Sequence, residues 1–276
     1  MNLTYQVFKE HALNTRSHFY DLFPNSLLSR NIKFKDIHKG ERCFILGSGH
    51  SILTQDLTRL SGEIVMTQNH FHAHNDIKTI NPKYHVLIPK YQPKEYDGDW
   101  NAWLDTMEKN LPPDTKFFLG TNTKYLIDER TNLSSRSYYI EPGYWSHLMS
   151  RAKVDISHLI MHVPTVITQC LTIAIYMGFS EMYLLGFDLD QVVRLVDRDK
   201  VRFYGNSPIT ANQSEKKFEK ELGASGMDWF NMWTIWHQLN LLKLEAESRN
   251  IKIINATNGG LLDVFERGNY ESIIAK

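Results

Sequence analysis

With 276 residues, 42% of them hydrophobic, the chain suffices for one large α/β domain and its core. Lys plus Arg and Asp plus Glu both total 31, so the formal net charge is zero; this argues against a nucleic-acid partner and gives no support to a strongly basic membrane-binding face. No window approaches the ~18 uninterrupted apolar residues of a spanning helix. The first ten residues lack the basic start and apolar stretch of a signal peptide. Cys43 and Cys170 each lie in an apolar run, as free buried thiols of a reducing compartment do. The expected location is therefore the cytoplasm.

Taken in chain order, residues 1–38 read as a helical appendage, with Leu3, Val7, Leu13, Phe19 and Leu22 at loosely helical spacing and Pro24 interrupting the run. From residue 39 onward the pattern becomes that of a Rossmann-like domain, 39–276. Short apolar runs at 42–46, 63–67, 84–88, 116–119, 137–140, 181–185 and 251–254 predict strands. Segments 52–60, 101–110, 165–177 and 228–249 between most of them predict helices. Alternation of this kind implies crossover connections and a mostly parallel sheet with helices on both faces. Residues 142–163, rich in His, Tyr and Trp, fit the alternation badly. So does the polar stretch 189–227, which reads as an irregular lid insertion over the site.

Ligands of open parallel sheets bind beyond the carboxyl ends of the strands, so five strand-end loops are the candidates. The first, Gly47-Ser48-Gly49-His50-Ser51, follows the first clear strand; its glycines permit a tight turn and close approach of a ligand. Ser51 is placed to cap the helix behind it and leave amides facing an anion. It lacks the third glycine of the dinucleotide fingerprint and the Gly-Lys-Ser/Thr of a P-loop. In the second loop, Asn69 suits a ribose or base. His70, His72 and His74 alternate there, which leaves metal binding open beside the plainer reading of hydrogen-bonded histidines. In the third, Thr165 stands where a helix N-cap belongs and Gly178 where that helix ends. The fourth carries Asp188 and Asp190, the only one of three Asp-x-Asp pairs at a strand end, suited to a ribose, a hydroxyl or a cation. The fifth, with Asn255, Thr257, Gly259 and Gly260, fits both a turn and a ligand edge. Trp229, Phe230, Trp233 and Trp236 lie on the helix before the last strand, and His237 beside them is a candidate general base or a packing histidine.

Taken together, the run Phe44 to Ile52, Gln68-Asn69, Pro164-Thr-Val through to Gly186-Phe-Asp188, and Ile254-Asn-Ala-Thr257 resembles two related groups. One is the MptE-like superfamily, with its motility-associated-factor glycosyltransferases and pterin diphosphokinases. The other is the bacterial α-2,3-sialyltransferases of glycosyltransferase family 42. The resemblance covers roughly 42–70 and 160–265. It implies a CMP-activated nonulosonic (sialic-type) acid as donor and a glycan or glycoprotein acceptor in bacterial surface-polysaccharide assembly. No cofactor would be required. Gly47, Ser48, Gly49 and Ser51 would face the CMP phosphate, while Asn69, Thr165, Asn255 and Thr257 would hold the nucleotide. His237, Tyr204 and Asp188 would form the catalytic set, with no metal site. The chain departs from the family pattern at three places. Trp233 stands at the family's His position with His237 one helical turn on, Tyr204 alone stands where two tyrosines are expected, and His50 replaces a Pro. Two alternatives remain: an ATP- and Mg-dependent diphosphotransferase with Asp188 and Asp190 as metal ligands, and a non-catalytic nucleotide-sugar binding protein. A peripheral membrane association through a lipid-linked acceptor, and a homo-oligomer, stay open.

Overall fold

The computed structural model describes residues 25–90, 92–146, 149–190 and 225–275. Among the described residues, nine strands form one sheet: β1 Arg42–Leu46, β2 Val65–Gln68, β3 Tyr84–Val86, β4 Lys116–Gly120, β5 Ser137–Tyr144, β6 Leu159–Met161, β7 Glu181–Leu185, β8 Lys252–Asn255 and β9 Glu266–Arg267. Their order is β6-β5-β4-β3-β2-β1-β7-β8-β9 and every pairing is parallel. The fold is the expected α/β arrangement. β6 and β9 were not foreseen; both are short, and β9 has no apolar residue to signal it.

Parallel strands in the middle of such a sheet are buried on both sides, which is why β1 and β7 are near-continuous apolar runs. Alternate residues enter two separate cores. Cys43, Ile45, Met182 and Leu184 pack on one face with helices α2 (Val166–Met177) and α3 (Ser225–Ser248). Phe44, Leu46, Tyr183 and Leu185 pack on the other with Trp100, Trp103, Leu104 and Met107 of α1 (Asp97–Asn110). All twelve residues of α2 are buried, because it lies between the sheet and α3. It ends at Gly178, whose φ of 82° is the left-handed conformation a helix C-cap takes.

Three local departures have physical causes. The helix expected over 52–60 is two 3₁₀ turns, His50–Thr54 and Leu57–Leu60, because the Asp56 carboxylate caps the Thr58 amide and starts a second turn. The predicted strand over 84–88 stops at Val86, and the Ile88 amide donates to the Asn69 side chain instead of a neighbouring strand. Residues 25–38, read as part of an appendage, are built into the domain. Phe34 stands edge-on to Phe118 and Tyr138, and the buried Asn31 amide donates to the carbonyls of Tyr139 (2.6 Å) and Ile156 (2.8 Å). Among the described residues, no helix is long and apolar enough to cross a membrane.

Candidate functional site

The sheet runs outward from β1 through β2 to β6, and the chain then returns to place β7 on the other side of β1. The strand order thus reverses at β1, and the carboxyl edge at such a reversal is where open α/β sheets bind ligands. Gly47–Ser51 follows β1, Asn69 follows β2, and Gly186–Asp190 follows β7.

The first and third of these loops are locked together. The Gly47 amide donates to Leu185 O (2.7 Å) and the Gly49 amide to Gly186 O (2.8 Å). The Asp188 carboxylate, 5% exposed, accepts from the Ser51 amide (3.0 Å) and from the Ser51 hydroxyl. A Cβ on Gly49 would fall 2.5 Å from Asp188 Oδ2 and 2.7 Å from Gly186 O, and one on Gly47 would strike the Gly186 carbonyl. The glycines thus serve contact between the β1 and β7 loops. Ser51, expected to cap a helix and leave its amide to a phosphate, gives both donors to Asp188. Among the described residues, the Ser48 and His50 amides are the backbone donors of this loop without an acceptor.

Asp188 is also gripped from the β8 side. Its carbonyl accepts from the Leu261 amide (2.6 Å), and a Cβ on Gly260 would lie 2.6 Å from its Cα. Asn255 and Thr257, expected on the nucleotide, point into this joint. Asn255, fully buried, donates to Leu262 O (2.8 Å) and accepts from the Thr257 amide (3.0 Å). The Thr257 hydroxyl accepts from the Phe187 amide (3.1 Å). Both side chains brace the loops that carry Asp188.

Asn69 takes a left-handed conformation, φ 44°, which Asn tolerates better than most residues. Its Oδ1 accepts from the Ile88 amide (3.1 Å), tying the ends of β2 and β3 together. Next to this tie, Gln169 of α2 donates to Leu87 O (3.1 Å), so the amino end of α2 stands beside the carboxyl end of β3. Thr165 occupies the N-cap position of α2 in extended conformation, but its side chain makes no capping bond; its carbonyl accepts from Thr168 instead. Among the described residues, the Val166 and Ile167 amides that open this twelve-residue helix have no acceptor, and a helix amino end favours an anion.

His237 lies on α3. Its Nε2 is 2.9 Å from Ser146 O, which can only accept, so Nε2 carries the proton and, in the neutral ring, Nδ1 is the basic nitrogen. Trp233 stacks on it, 5.2 Å away and nearly parallel at 1°. The neighbouring Gln238 donates to His162 O (2.8 Å), which fixes α3 against the segment leading to Thr165. Tyr204 and most of the expected lid lie outside the described residues.

The rings of His70 and His72 lie 6.1 Å apart, and each of the three alternating histidines also meets an aromatic side chain. His72, 1% exposed, accepts from Trp103 Nε1 (3.1 Å), and burial lowers its pKa to about 3; His70 stacks on Trp103 and His74 on Phe71. Each Asp188 oxygen accepts one hydrogen bond from Ser51. Among the described residues, no group of three His, Cys, Asp or Glu forms a metal cluster. Sequence reasoning missed His85, Thr67 and Gln169. The available signal was a His inside an otherwise apolar strand, since a buried polar ring requires partners.

No protein-family description matches the chain, and no curated protein matches its sequence. Among solved structures, the sialyltransferase CstII from Campylobacter jejuni in complex with a substrate analogue, cytidine-5'-monophosphate, is similar with a TM-score of 0.46 and 14% identity, over 83% of this chain and 85% of that one. A structure of CST-II with trisaccharide acceptor and CMP gives 0.45 and 14%, over 82% and 85%. A third, CstII with CMP-3FNeuAc, gives 0.43 and 13%, over 82% and 84%.

Proposed function

We propose that the chain is a glycosyltransferase that moves a sialic-type sugar from a CMP-sugar to a glycan or glycoprotein acceptor without a metal. The observation that supports this reading best is the convergence at one sheet edge of three elements: the β1–β7 strand reversal, the Asn69 carboxamide and the uncapped amino end of α2. Donors gathered there suit a phosphate ester bonded to a ribose.

In the proposed reaction, the acceptor hydroxyl oxygen attacks the anomeric carbon while the bond from that carbon to the CMP phosphate oxygen breaks. The electron pair leaves with CMP. The His237 Nδ1 takes the hydroxyl proton, its tautomer set by the Ser146 carbonyl as a catalytic base is set by its orienting partner. The Ser48 and His50 amides, Asn69 and Thr165 hold the nucleotide and stabilise charge on the departing phosphate. Tyr204 would donate to that phosphate, as the resemblance implies. Asp188 acts through Ser51, fixing the shape of the β1 loop.

Turnover of CMP-sialic acid with a lactose-type acceptor tests this proposal. Activity is expected to survive EDTA and to fall by about 10²-fold or more in His237→Ala, the scale of a lost general base. Activity abolished by EDTA and restored by magnesium would overturn the metal-independent mechanism, and a wild-type rate in His237→Ala would remove His237 as the base.

A further inference from the structure

A buried histidine ties the candidate site to the sheet beneath it. His85 is the middle residue of β3 and is completely buried. Its Nε2 lies 3.0 Å from the carbonyl oxygen of Asn69, and its Nδ1 lies 2.8 Å from the Thr67 hydroxyl. Burial holds the ring well below the usual histidine pKa, so it is neutral and has a single N–H. A carbonyl cannot donate, so that hydrogen is on Nε2 and points to Asn69. Nδ1 then accepts from Thr67, whose longer contact with Tyr84 O (3.4 Å) is the weaker claim on the same hydroxyl.

The chain Thr67–His85–Asn69 has one consistent direction of donation, and it ends on the residue with the unusual backbone. Asn69 is held twice: its carbonyl by His85, and its Oδ1 by the Ile88 amide at 3.1 Å. The second bond decides which end of the carboxamide is committed. The oxygen is used within the protein, and the two N–H donors of the half-buried side chain are left for a ligand that accepts.

We propose that His85 is a positioning residue for ligand capture: by bridging Thr67 and the Asn69 carbonyl, it keeps Asn69 in its left-handed turn, so that the carboxamide nitrogen is presented to an oxygen of the nucleotide. The inference rests on the nucleotide reading above. It adds a residue that touches no ligand yet sets affinity.

The test is a double-mutant cycle read by calorimetric titration of the full chain with CMP, with urea unfolding in parallel. The variants are Asn69→Ala, His85→Phe, Thr67→Val, His85→Gln, and the first combined with each of the next two. His85→Phe and Thr67→Val are expected to weaken CMP by about 10-fold when Asn69 is present and by less than about 2-fold when it is Ala, the signature of coupled residues. His85→Gln, which offers a donor and an acceptor in similar places, is expected to recover affinity to within about 3-fold. A purely structural role would move unfolding midpoints without this coupling. If His85→Phe does not fold, Thr67→Val, which conserves volume, completes the cycle alone. Equal weakening with and without Asn69, or no weakening by any of the variants, would overturn the inference while leaving nucleotide binding intact. A wild-type protein that takes no CMP would overturn the nucleotide reading, and this inference with it.

Discussion

Replacing Gly49 by Ala perturbs the candidate site with a single methyl group. Gly49 has φ −63° and ψ 155°, a conformation any residue adopts, so the substitution introduces no backbone strain of its own. The new Cβ would lie 2.5 Å from Asp188 Oδ2, 2.6 Å from Asp188 Cγ and 2.7 Å from Gly186 O. Two of these belong to the carboxylate that accepts from Ser51, and the third to the backbone that accepts from Gly49 itself. Relief requires Asp188 to retreat, and it is pinned at its backbone by Leu261 and Gly260. Losing one hydrogen bond to a charged group costs about 1.5–3 kcal/mol, and residual overpacking about 1 kcal/mol. We expect Gly49→Ala to lower the unfolding free energy by about 2–4 kcal/mol in urea titration and to weaken CMP binding. Gly40→Ala is the control, because Gly40 has φ 87° and nothing within 4 Å, so only the modest strain of a left-handed alanine, about 1 kcal/mol, applies. If Gly49→Ala matches the wild type within about 0.5 kcal/mol, the β1 and β7 loops are not locked as described.

Three further outcomes follow from the same geometry. Because the Thr165 side chain caps nothing, Thr165→Val should change stability by less than about 0.5 kcal/mol, against about 1 kcal/mol for a working cap, yet weaken CMP; a full capping loss in urea titration would contradict this. Asn255→Ala strands a carbonyl and an amide in the β8 joint and should destabilise by about 2–4 kcal/mol, with affinity kept in whatever fraction folds; a stability-neutral variant that loses CMP would return Asn255 to the ligand. Acidification should destabilise the fold through His72. Its folded pKa of about 3 is below the unfolded value of 6.5, so the unfolded chain binds the extra proton, and stability present above pH 6.5 is lost as pH falls towards 3. Between pH 7 and pH 5 this amounts to about 2 kcal/mol, and His85, His74 and His38, also lowered by burial, act in the same direction. An unchanged urea midpoint over that range would refute it.

The sequence carried the fold further than the site. Strands such as Arg42–Leu46 and Glu181–Leu185 were legible to the residue because both faces are buried and the apolar run is continuous. Which of these strands became neighbours was not legible, and that arrangement sets where the sheet order reverses. Ser51 and Asp188 are 137 positions apart, and nothing local in either loop announces that one carboxylate takes both serine donors. Thr165 shows the limit of reading caps by position: the residue type and place were as expected, but the hydroxyl does not bond. Asn255 and Thr257 looked like ligand residues because Asn and Thr at a strand end suit that role. They suit a buried joint equally well, and only burial and partners separate the two. His85 was overlooked because a single polar residue inside a short strand has no spacing pattern.

The most direct test of a nucleotide seat at the sheet reversal is a crystal structure of the chain grown with CMP. The account predicts nucleotide density at the carboxyl edge beside β1, with an oxygen within hydrogen-bond reach of the Asn69 carboxamide nitrogen and the phosphate near the amino end of α2. Crystals in which CMP sits on another face of the protein, or in which the nucleotide displaces Asp188 from Ser51 and leaves Asn69 untouched, would contradict it.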